Sequence, residues 1–182
     1  MKIALAFLLV CLTGCGYQFG SSQFSSRYST LSVPYASGDF DGSFTNEMIH
    51  HISTGSVFQY RRVGADLILK IDLVDFDVEN IGYRYYRNKN DHLTRETIPV
   101  ETRSTVTAVF SLIYASTGYE VLSPVEVSAT TDFDHDYYST RDQINSNSLG
   151  QLTDYDEALD ASKKPLFFNL AKKISDYIND SW

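Results

Sequence analysis

Cysteine is nearly absent from this chain: there are two among 182 residues, Cys11 and Cys15. Their Cys-x-x-x-Cys spacing is compatible with a redox or metal pair. However, Cys11 lies inside an apolar N-terminal run, residues 3–12, and would leave with it if that run is cleaved. Without Cys11 no disulfide can form within the chain, and if the Cys15 thiol is itself modified none remains as metal ligand or nucleophile. Long hydrophobic runs are also missing. The only one is ten residues long, against the ~20 needed to span a bilayer as a helix. Positive charge is in short supply as well, with 15 Lys and Arg against 23 Asp and Glu and a net charge of −8. That balance argues against general nucleic-acid binding.

The sequence opens MKIALAFLLVCLTGC. One lysine precedes an apolar core of the length used by secretory signals, ~7–15 residues. Thr13 and Gly14 are small, and Cys15 follows. Leu-Thr-Gly-Cys after such a core resembles the site cut by bacterial lipoprotein signal peptidase. In that chemistry the Cys15 thiol carries a diacylglycerol thioether, residues 1–14 are removed, and the new amine is acylated. Each buried CH2 contributes ~0.8 kcal/mol, so two or more chains anchor stably. Residue 16 is Gly and not the Asp associated with inner-membrane retention, which implies the outer membrane. Residues 15–29 then form a lipidated, Ser-rich tether, and residues 30–182 one domain.

Within that domain the apolar pattern changes period several times. Leu31, Val33 and Tyr35 alternate, with Pro34 marking an edge or an end. Phe44, Met48, Ile49 and Ile52 fall on one helical face, with Asp41 or Ser43 as the cap and Gly55 as the stop. Leu67, Leu69, Ile71 and Leu73 then alternate in a long strand. The apolar phase shifts at Val74, Phe76 and Val78, which predicts a bulge near Asp75. A polar turn region occupies residues 88–99. A second long strand follows, with Val106, Ala108, Phe110, Leu112 and Tyr114 on one face. Ser116-Thr117-Gly118 turns into a third strand over residues 119–133.

Residues 134–151 have no clear period and read as a mobile loop. Asp154 and Glu157 then have capping-box spacing. Leu166, Phe167, Leu170, Ala171, Ile174, Tyr177 and Ile178 make an apolar stripe on a C-terminal helix that Pro165 either kinks or begins. The order is β-α-β-β-β-α. A helical crossover permits parallel pairing of the first two strands. The expected fold is α+β: two helices on one face of a four-stranded mixed sheet, a two-layer sandwich.

Element order, GCGYQF at the lipidation site and GADLILKIDLVDFD after the first helix together resemble the lipopolysaccharide-assembly lipoprotein family LptE. The matching positions are Cys15, Gly16 and Tyr17, then Ala65, Asp66 and Leu69, with the STGYEVL hairpin in support. The resemblance implies a non-catalytic outer-membrane lipoprotein facing the periplasm. It would plug an LptD-type β-barrel, support its assembly, and act with it in lipopolysaccharide insertion, with direct contact to lipopolysaccharide secondary. It implies no cofactor and no nucleic-acid partner. A lipid-anchored periplasmic ligand-binding lipoprotein with no barrel partner is the alternative. The first needs an extended contact surface, the second one concave apolar pocket.

Charge is unevenly placed. Residues 120–160 hold ten acids and one base, Arg141, for a local charge of −9. YRYYRNKN instead offers Arg84, Arg87 and Lys89, basic groups beside tyrosines able to pair with phosphate, and Arg61 and Arg62 join them only if the fold allows. A solvated hairpin end has the same composition. Asp132, Asp134, His135 and Asp136 look like metal ligands, but residue six from Asp132 is Tyr137 where a calcium loop needs Gly. A solvated acidic loop fits them better. His50 and His51 are helix neighbours about 100° apart, which does not suit a shared metal. No Ser/His/Asp arrangement, phosphate-cradling Gly loop or catalytic carboxylate pair stands out.

Overall fold

A computed structural model of the chain describes residues 29–87, 92–135 and 154–181. The signal segment, Cys15 and the tether lie outside these residues, as do Lys89 and the stretch 136–153. The described residues form five strands and two helices: β1 (Thr30–Ser32), α1 (Ser43–Gly55), β2 (Gln59–Tyr60), β3 (Leu67–Arg87), β4 (Leu93–Tyr114), β5 (Glu120–Asp134) and α2 (Tyr155–Asp180). One mixed sheet holds all strands in the order β2-β1-β3-β4-β5. The α+β class and the parallel β1–β3 pairing follow the sequence reading. The strand count does not. β2 adds a fifth strand, parallel to β1 at the sheet edge. Two residues are too few to carry an alternation, and tertiary contacts alone hold them: Gln59 N donates to Ser29 O at 2.8 Å and Arg61 N to Leu31 O at 2.9 Å.

The core lies between the helices and one face of the sheet. Leu31, Leu67, Leu69, Phe110 and Leu112 from the strands are at most 1% exposed. Phe44, Met48 and Ile52 of α1, spaced i, i+4 and i+8, meet them, as do Leu166, Leu170, Ile174 and Ile178 of α2. Each such side chain contributes roughly 1.5–3 kcal/mol by burial. The Phe44 and Phe167 rings meet edge-on at 5.8 Å and tie the helices together. Asn179 of α2 closes the C-terminal end of α1: its Oδ1 accepts from Ser56 Oγ and Val57 N, and its Nδ2 donates to Gly55 O.

Capping differs between the helices. Asp154 Oδ1 accepts from Glu157 N at 2.8 Å, as its spacing predicts. At α1 the N-cap position is Gly42, with φ at 78°. Buried Asp39, three residues earlier, takes both Thr45 N (2.8 Å) and Thr45 Oγ1 (2.5 Å), while Asp41 accepts from Ser43 N. Pro165 neither ends nor begins a helix; α2 runs through it as one 26-residue element. The lost backbone bond is tolerated because buried residues hold the helix on both sides, Ala158 and Ser162 before Pro165 and the apolar stripe after it.

β3 and β4 pair along nearly their whole lengths. The expected bulge is present, with Val74 as the extra residue between Leu73 and Asp75. Val74 shifts the phase, so Phe76 and Val78 return to the helix-side face opposite Val106 and Ser104. β4 begins at Leu93, seven residues before the start suggested by composition. Pro99 hid that extension. It sits opposite Tyr83, beside a register irregularity at Gly82 where a missing N–H is harmless.

Candidate functional site

The positions singled out from sequence do not converge. Arg84 is exposed near the far end of β3, opposite Ile98, and Arg87 pairs with Leu93 at the last step of that ladder. Arg61 and Arg62 follow β2, level with Leu31 at the opposite end of the sheet. From Leu67 to Arg84 is roughly 55 Å of strand at ~3.3 Å per residue, so the two basic groups cannot form one patch.

The acidic segment is committed elsewhere too. Asp132 accepts a bidentate pair from Arg103, at 2.7 Å from Nε and 2.8 Å from Nη2. Those hydrogen bonds hold the Asp132 carboxyl below its usual range and Arg103 above its own. His135 is buried, with Nε2 2.9 Å from Thr102 Oγ1 and its ring edge-on to Tyr155 at 5.0 Å. Asp136 lies outside the described residues. No group of three His, Cys, Asp or Glu is placed to hold a metal among the described residues. The His51 ring meets Phe168 of α2 at a tilt, 4.7 Å between centres, and lies 3.6 Å from Glu47, so it packs between helices, while His50 is exposed.

Asp66 has a clear structural task. Its Oδ2 accepts from Ser29 N, Thr30 N and Thr30 Oγ1, and its own N–H donates back to Thr30 Oγ1 at 2.9 Å. These bonds, the Thr30 hydroxyl first, hold its carboxyl below the ordinary value of 3.8. The Ala65-Asp66 pair thus locks the start of β1 to the start of β3.

The site that sequence reasoning missed lies where β1 ends. Ser37 makes the last bridge to β3, at Asp72, and Leu73 N donates to Ser37 O at 2.8 Å. The chain then turns away through Gly38, whose φ is +80° and whose added Cβ would lie 2.7 Å from Leu73 O. A groove of about 750 Å³ opens there. Leu73, Val74 and Phe76 of β3 form one wall, Leu159 and Phe167 of α2 another, and the 38–41 loop a third. Phe40 stands fully exposed on the rim, and Phe76 is 43% exposed. Asp39 and Asp41 line the loop side. Lys163 is the one cation among the described lining residues and is ion-paired with Asp160 at 3.0 Å. The lining has no nucleophile beside a base. It can hold apolar groups and orient charge around them. Phe40 is the available sequence signal: a large aromatic inside the otherwise polar turn SGDFDGS has no local reason to be there.

Together these features define a two-layer α+β domain with a long β3–β4 hairpin, a sheet face that no described helix covers and an open apolar groove. The same fold occurs among solved bacterial lipoproteins. A rare lipoprotein B from Shewanella oneidensis matches with a TM-score of 0.50 at 12% identity, over 84% of this chain and 96% of its own. A Xanthomonas campestris protein matches with a TM-score of 0.53 at 10% identity, over 84% of this chain and 83% of its own. No family model matches the sequence. No curated protein matches it.

Proposed function

We propose that this chain is a bacterial outer-membrane lipoprotein of the LptE kind, anchored through Cys15 and acting by contact rather than catalysis. In this reading it faces the periplasm, seats in an LptD-type β-barrel as plug and assembly partner, and serves lipopolysaccharide insertion. One observation carries the reading. A lipobox-like segment precedes a domain whose fold matches a rare lipoprotein B. The architecture suits the task. The described helices cover one face of the sheet only, which leaves a broad polar face and a long hairpin for a surrounding wall. Arg84 and Arg87 near the end of β3, with Lys89 following in the sequence, are the proposed lipopolysaccharide contacts.

The test is extraction of the full chain from a Gram-negative outer membrane in mild detergent, followed by affinity capture. A large outer-membrane barrel in stoichiometric yield is expected; its absence overturns the LptE reading. Mass spectrometry of the mature N-terminus should find Cys15 first and acylated. Cys15→Ser should release the chain from the membrane fraction. The ~750 Å³ groove favours one second reading, a tethered ligand-binding lipoprotein, in which no barrel co-purifies and a small apolar ligand does.

A further inference from the structure

The groove adjoins a second feature, an uncovered strand edge. β1 covers the outer edge of β3 only as far as Leu73. Beyond it, no described residue pairs with that edge. The regular part runs over residues 75–80, between the bulge at Val74 and the register break at Gly82. It presents unpaired backbone donors and acceptors over about 20 Å. Its side chains alternate strictly. Phe76, Val78 and Asn80 lie on the helix side, opposite Val106, Ser104 and Thr102. By register Asp75, Asp77 and Glu79 lie on the other face, all exposed and with no ion pair to a described residue; Asp75, next to the bulge, also borders the groove. The nearest cation across the ladder, Arg103 opposite Glu79, is already held by Asp132.

We propose that residues 75–80 of β3 form a docking edge for an extended polypeptide segment of alternating apolar and basic residues, which joins the sheet as an added strand. Three observations select this occupant. The edge offers main-chain pairing. Side chains of an added strand alternate between faces, so one set points toward the helix side. There the groove waits with Phe40, Phe76 and Leu159. The other set meets Asp75, Asp77 and Glu79, where Lys or Arg is the complement. A second copy of this chain is disfavoured by the same residues. Edge-to-edge pairing of two copies brings acids against acids on that other face, a common device against self-association. The proposal goes beyond the barrel reading and does not depend on it, because the partner segment is defined by its pattern alone.

The probe is a fluorescein-labelled octapeptide alternating valine and lysine, titrated onto the purified full chain by fluorescence anisotropy. Saturable binding that weakens with salt is expected, with new amide-exchange protection over residues 75–80. A valine–glutamate peptide should not bind. Reversing charge with Asp77→Lys and Glu79→Lys should weaken binding by about tenfold or more. The decisive arm uses N-methylation. Methylating alternate amides blocks one strand edge, so one of the two alternate sets should abolish binding and the other should not. Absence of binding, equal effects of both methylated sets, or protection elsewhere overturns the proposal. It also fails if the free chain already protects residues 75–80, since the edge is then filled by the chain itself. Crosslinking of Asp77→Cys between two copies, with no peptide binding, would assign the edge to self-association instead.

Discussion

Replacing Asp66 with Ala should uncouple the start of β1 from β3. Three donors converge on Asp66 Oδ2: Ser29 N at 3.2 Å, Thr30 N at 3.1 Å and Thr30 Oγ1 at 2.8 Å. Hydrogen bonds to a charged group are worth ~1.5–3 kcal/mol each where water is excluded. Asp66 is exposed, so solvent competes, and ~0.5–1 kcal/mol per bond is the better scale. The expected loss is about 2 kcal/mol, or roughly 4–8 °C in Tm for a domain of this size. Urea denaturation at pH 7 measures it.

The pH dependence supplies a second check on the same residue. The folded-state pKa of Asp66 is depressed, so its contribution is present above the unfolded-state value. It is lost as pH falls below 3.8 through the folded-state value. The gap between parent and Asp66→Ala should therefore close below that range. Asp66→Asn, which keeps an acceptor oxygen but no charge, should lie between the two at neutral pH. The reasoning is refuted if Asp66→Ala changes stability by less than ~0.5 kcal/mol, or if the full gap persists at acid pH after Asp66 is protonated.

Three further outcomes follow from the same coordinates. Leu170→Ala opens a cavity beneath α2 and should cost ~2–5 kcal/mol by denaturant titration. Gly38→Ala adds a Cβ 2.7 Å from Leu73 O at a φ of +80°, and should cost over ~1 kcal/mol while loosening the 38–41 side of the groove, as read by amide exchange. The triple change of Arg84, Arg87 and Lys89 to Ser should weaken lipopolysaccharide binding, with the difference shrinking at high salt in surface plasmon resonance; unchanged affinity removes these residues from the site.

The sequence carried the elements whose pattern repeats. Leu67, Leu69, Ile71 and Leu73 alternate, and Phe44, Met48 and Ile52 recur every four residues, because each set faces one core. Even the bulge was legible, since Val74 shifts an otherwise regular phase. What stayed hidden depends on neighbours distant in sequence. β2 exists only through its bonds to Ser29 and Leu31. Asp39 reads as a turn residue until Thr45 folds back onto it. β4 extends past Pro99 because its partner is irregular at the matching step. The groove was illegible for the same reason. It is assembled from a loop, a bulge about thirty residues further on and a helix more than eighty residues beyond that, and only exposed Phe40 hinted at it.

The length of β3 has one more consequence. The tether enters the domain at Ser29, beside the Asp66 end of β3, and Arg84 lies at the other end. Twenty steps of strand cover about 60 Å after twist and bulges. Fourteen residue steps join Cys15 to Ser29, which at full stretch reach about 50 Å. If Cys15 is held in lipid, as proposed, the leash is shorter than the arm it carries. The domain cannot stand inverted with its hairpin pointing straight down at its own leaflet. It can lie along the surface or aim the hairpin away, so whatever that tip contacts must be reached sideways or from above.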